Sequence, residues 1–125
     1  MIGVNDNRKN TEAFHQVAKD ITRYIHFGGY DVISEIVDSS YIPVEKIKKF
    51  FNENEELIPD NPFDKKNSHT DGLYRVNKLN DLTYNVEYDF VRGDNIAYMT
   101  LLMQFVYDQV EPYITVEIQD IRRNN

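Results

Sequence analysis

"LTYNVEYDFVRGDNIAYMTLLMQFVYD", residues 82–108, reads as a β-hairpin with two unlike arms. In the first, Leu82, Tyr84, Val86, Tyr88 and Phe90 alternate with Thr83, Asn85, Glu87 and Asp89, the period of a strand with one buried face. The second arm is apolar on both sides. Ala97, Met99, Leu101, Met103 and Phe105 make one face, and Ile96, Tyr98, Leu102 and Val106 the other. A strand without a polar side belongs in the middle of a sheet. The stretch therefore predicts an antiparallel sheet with residues 96–107 at its centre. It also predicts an apolar strip on the solvent side, bordered by the carboxylates of the first arm.

The flanking sequence extends the sheet and precedes it with helices. Strands are expected at 73–79, 82–91, 96–107 and 113–122, with turns at Asn80-Asp81, at 92–95 and at 109–112. Before Gly72 the period changes from 2 to 3.6. Asn10 or Thr11 is the expected cap of a helix with the stripe Phe14, Val17, Ala18, Ile21, Tyr24 and Ile25. Gly28-Gly29 ends it, since Gly accepts the left-handed conformation past a helix C-terminus. A second helix is expected from Asp31 to Val37. A third is opened by Pro43 at its first position, with the face Val44, Ile47, Phe50 and Phe51. Residues 1–10 are expected to be mobile. Residues 52–71 are expected to form a long polar loop, in which Leu57-Ile58 pairs briefly as an edge strand. Helices followed by strands indicate a single α+β domain over residues 1–125, three helices packed on a curved antiparallel sheet.

Composition excludes several functions. There is no Cys among the 125 residues, which removes disulfides, thiolate metal sites and a nucleophilic thiol. The N-terminus lacks the apolar core of a signal peptide, and no apolar run approaches the ~20 residues that span a bilayer, so a cytoplasmic protein with no membrane partner is expected. The formal charge of −7 is unevenly spread. Residues 81–121 hold eight acids and one base, Arg92. A nucleic-acid backbone would be repelled there and a cationic partner attracted.

Residues that carry chemistry are sparse. His15 and His26 share a helix face eleven residues apart, and His69 stands in the polar loop, so no metal-ligand spacing of three or four is present. No cofactor motif occurs: "FGGYD" is a helix end, not a phosphate cradle. Asp120 continues the period of Ile114, Val116 and Ile118 and is therefore expected on the inward face. There, with His26 and Tyr24 or Tyr30, burial could raise its pKa and make it a base.

The helix–Gly–Gly–Tyr–Asp junction at 28–31, the Pro43 helix and the closing strand "ITVEIQDI" together resemble the cone-shaped fold of the nuclear transport factor superfamily, also called cystatin-like or SnoaL-like. That resemblance implies either a ligand pocket or enzyme site inside the cone or a binding role for the sheet. By type, a small acidic chain with an apolar strip resembles the immunity proteins of bacterial contact-dependent inhibition and polymorphic-toxin systems. This implies a cognate toxin domain, often a cationic nuclease, as partner, inhibited by occlusion without turnover. The partner-binding residues expected are Glu87, Asp89, Tyr98, Leu102, Gln104 and Glu117. Two alternatives stand beside this: a cone-fold small-molecule binder or enzyme using Asp120, and a homodimer formed through the same strip.

Overall fold

In the computed structural model, the residues described are 2–3, 7–64, 74–92, 96–108 and 113–124. A short strand β1 (Ile2–Gly3) precedes helix α1 (Asn7–Phe27) and helix α2 (Tyr30–Ile36). Strand β2 (Ser39–Ser40), helix α3 (Val44–Glu53) and a 3₁₀ turn (Glu55–Leu57) follow. Strands β3 (Tyr74–Asn80), β4 (Thr83–Arg92), β5 (Ile96–Tyr107) and β6 (Tyr113–Arg123) complete the chain. This is the expected α+β arrangement, three helices ahead of four long antiparallel strands of a curved sheet. The two-residue strands β1 and β2, the latter parallel to β6, extend the sheet to six. The sheet order is β1-β6-β5-β4-β3, and β2 also pairs with β6. The doubly apolar β5 is central.

Local chemistry explains most boundaries. α1 ends where Gly28 takes φ +78°, and the Gly29 N–H reaches back to the Tyr24 carbonyl at 2.7 Å. Pro43 is not the first residue of α3 but the residue before it, with extended ψ of 137°. Its carbonyl accepts the N–H groups of Lys46 and Ile47.

Two further expectations fail locally. α1 starts at Asn7, not after Asn10 or Thr11; its first six residues, NRKNTE, are all polar, so the sequence carries no apolar period to mark the start. Near the N-terminus, Ile2 and Gly3 pair antiparallel with Ile114 and Tyr113, and residues 7–10 are helical. Leu57-Ile58 is no edge strand. The Leu57 N–H closes a tight turn onto the Asn54 carbonyl, and both side chains pack against the core. The connection after α3 is packed down as far as residue 64. Pro59 and Pro62 are buried, and Phe63 lies under the cations Lys19 and Arg23, each 4.8 Å from its ring centre. The rest of that loop, with His69, and the turns at 93–95 and 109–112 lie outside the described residues.

One core joins the layers. Phe14, Val17, Ala18, Ile21 and Ile25 of α1 pack on Tyr84, Val86, Tyr88 and Phe90 of β4, on Met99, Leu101, Met103 and Phe105 of β5, and on Ile114, Val116 and Ile118 of β6. Phe14 stacks on Phe105 with ring centres 4.1 Å apart. The alternation read from the sequence thus sends one face of each long strand to the helices. The other face is left for solvent or a partner.

Candidate functional site

Register assembles that outer face in rows. Asn85, Gln104 and Glu117 lie side by side across β4, β5 and β6. Glu87, Leu102 and Asp120 form the next row, and Asp89, Thr100 and Arg122 the third. A shallow groove of about 230 Å³ runs over the first two, lined by Asn85, Glu87, Leu102, Gln104 and Gln119 together with Val86 and Met103. Gln104 donates to Asn85 at 3.1 Å and Gln119 to Glu117 at 3.4 Å. Leu102, Gln104 and Val106 are half-buried on this face, as the sequence implied.

Glu87, Asp89 and Glu117 lie on the outer face as expected, but the first two are paired internally. Asp89 is only 4% exposed. Arg75, directly opposite Glu87 on β3, donates to both Asp89 oxygens at 2.8 and 3.0 Å and to Glu87 at 2.8 Å. The Thr100 hydroxyl donates to Asp89 at 2.7 Å, and Asn124 donates in turn to Thr100. Arg122 stands 3.9 Å from Glu87. Burial alone would raise the Asp89 carboxyl, but the bonds from Arg75 and Thr100 and the Arg75 charge outweigh it and hold the group below its ordinary value. The same bonds, to Asp89 first and Glu87 second, hold the Arg75 guanidinium above its usual value. Asp89 is therefore a member of an internal ion-pair network, not an exposed docking charge. Among the described residues, Glu117 and Asp120 are the outer-face acids that make no ion pair.

Two β-bulges move two other predicted residues. Phe90 pairs with Met99 but Val91 with Ala97, so Tyr98 is an extra residue in β5. Tyr98 does not lie on the outer strip. It packs against the core beside Phe90, and its hydroxyl donates to the Leu57 carbonyl at 3.1 Å. In β6, Ile118 pairs with Met103 but Asp120 with Leu102, which makes Gln119 the extra residue. Asp120 is thereby turned outward, where it accepts the Ile121 N–H at 2.8 Å, and Ile121 takes the inward place opposite Leu101. Strict alternation had placed Asp120 inside; the bulge overturns this.

The two described histidines, His15 and His26, serve the scaffold. His26, at the end of α1, has its Nδ1 2.8 Å from the Pro59 carbonyl oxygen, tying that helix to the following connection. His15 stacks on Tyr74 at 4.4 Å. The proposed acid–base set of Asp120 with His26 is therefore not assembled. No group of three His, Cys, Asp or Glu suited to a metal occurs among the described residues. No helix among them is long and apolar enough to cross a membrane. No family model, no curated protein and no solved structure matches the chain.

Proposed function

We propose that this chain is a protein-binding inhibitor of the immunity type, which docks a cognate toxin domain against the outer face of its sheet and blocks it by occlusion. The observation that supports this reading is the row structure of that face. Apolar Leu102 and Val106 lie among amides, and Glu117 and Asp120 beside them form no internal ion pair. Apolar contact area with a charged rim suits a partner of opposite charge, and a net charge of −7 favours a cationic one. In this reading the protein works in the cytoplasm, needs no cofactor and touches neither nucleic acid nor membrane.

Co-purification with the product of the adjacent upstream gene, followed by titration of that product's activity, tests the proposal. Inhibition that saturates at one protein per toxin supports it. Failure to bind any toxin-like neighbour, together with a dimer in analytical ultracentrifugation that Leu102→Arg dissociates, would replace it with the homodimer reading.

A further inference from the structure

On the helix side of the sheet a pocket of about 170 Å³ lies between α3 and the end of β6, lined by Ile42, Lys46, Ile47, Phe50, Phe51 and Ile121. Ile47 and Phe51 are buried and form its floor, while Ile42, Phe50 and Ile121 are half-buried walls. The pocket depends on the bulge in β6. With unbroken alternation Asp120 would face this side and Ile121 the solvent; as built, the carboxylate is outside and an apolar side chain takes its place. Among the lining residues Lys46 alone is charged, and it is exposed. It makes no ion pair among the described residues. Glu45 and Glu53, the carboxylates of the same helix, line a separate depression with Lys48 and Lys49.

Size and charge together select a ligand. A cavity of about 150 Å³ lined by aliphatic and aromatic side chains stays dry and accepts benzene. The present pocket is of that size, so it holds one ring or one short branched chain. A cation at the edge of an apolar pocket adds preference for an anion that can stay partly hydrated, which avoids the cost of burying it. We infer that this pocket binds a small monocarboxylate bearing a single aromatic or branched alkyl group. The apolar group sits against Phe50, Phe51 and Ile121, and the carboxylate meets Lys46. The site is separate from the outer face, so its failure leaves the docking proposal standing.

The test is titration of phenylacetate into the full chain, followed by amide and methyl resonances, with neutral phenylacetamide as its partner probe. The expected result is saturable shifts confined to residues 42–51 and 121, with Kd on the order of millimolar or below for so small a ligand. Phenylacetamide should bind several-fold more weakly. Lys46→Glu should weaken phenylacetate roughly tenfold, as a nearby attraction becomes a repulsion at the water boundary, and leave phenylacetamide unchanged. Ile121→Trp, which fills the pocket, should remove both. Should that variant not fold, the surface substitution Lys46→Glu still decides. Absence of localised shifts at tens of millimolar phenylacetate overturns the inference. So does equal affinity for the two probes, or phenylacetate binding that is indifferent to Lys46→Glu.

Discussion

Asp89→Asn tests the ion-pair network most directly, because it keeps the side chain's shape and removes its charge. Asp89 accepts two bonds from Arg75 and one from Thr100. An amide retains one acceptor oxygen and opposes an N–H₂ to one Arg75 nitrogen, so one bond between ions is lost, the other keeps a charge only on its donor, and the bond from Thr100 becomes neutral. Bonds to charged groups contribute about 1.5–3 kcal/mol net and neutral ones about 1 kcal/mol. The Arg75 side chain is 46% exposed, so water recovers part of the loss. The expected cost is about 2 kcal/mol at pH 7, a large share of the roughly 5–15 kcal/mol that holds a domain together. Urea unfolding would read this as a midpoint lowered by about 1 M at unchanged slope. The pH dependence carries the sign. The Asp89 carboxyl lies below its ordinary value when folded, so the unfolded chain takes up the proton first as pH falls. Its contribution is complete above the unfolded value of about 4 and disappears as pH drops through the lower folded value. The gap between the wild-type chain and Asp89→Asn should therefore close below about pH 4. A difference under about 0.5 kcal/mol at pH 7, the scale of an ordinary surface substitution, would refute the network's role. A gap that widened with acid would refute the assigned direction.

Three further outcomes follow from the fold. Phe105→Ala removes a fully buried ring stacked on Phe14 and should cost about 3–5 kcal/mol in the same urea assay. Tyr98→Phe should cost about 1 kcal/mol, since it removes the donor to the Leu57 carbonyl, and any stabilisation would contradict its inward placement. Gly28→Ala should destabilise by about 1 kcal/mol through its left-handed φ alone, because an added Cβ meets nothing within 4 Å.

Periodicity made the layers legible. Tyr84, Val86, Tyr88 and Phe90 alternate without interruption, and each is buried. The apolar second face of β5 correctly placed that strand between β4 and β6. What escaped is register. Asn80 pairs with Thr83, and unbroken pairing from there would set Arg75 against Tyr88; the irregularity between Lys78 and Asn80 sets it against Glu87. That single-residue slip brings a cation onto the acidic face. The bulges at Tyr98 and Gln119 act in the same way, each reversing the side on which a residue points. A local backbone irregularity leaves no trace in composition, so the candidate site was misread where the sheet departs from strict pairing. β1 and β2, two residues each, are too short to carry a period.

The internal pairing of Glu87 and Asp89 changes how the docking proposal is to be tested. Reversing either acid leaves Arg75 facing a like charge, so lost binding would report a damaged sheet and not a lost contact. Glu117→Lys combined with Asp120→Lys avoids this, since neither acid holds an ion pair among the described residues. A matched control is Glu55→Lys with Glu56→Lys, two exposed acids in the 3₁₀ turn that alter net charge by the same amount. Long-range steering of a cationic toxin follows overall charge and is screened over ~8 Å at physiological ionic strength. Contact at the sheet depends on the face. If the outer face docks the partner, the Glu117 and Asp120 pair should slow association more than the control at 150 mM salt. Leu102→Ala should leave association alone and speed dissociation, as loss of a buried anchor does. Equal slowing by both pairs would reduce the acidic face to net charge alone. Greater slowing by the Glu55 and Glu56 pair would move the docking surface to the segment after α3.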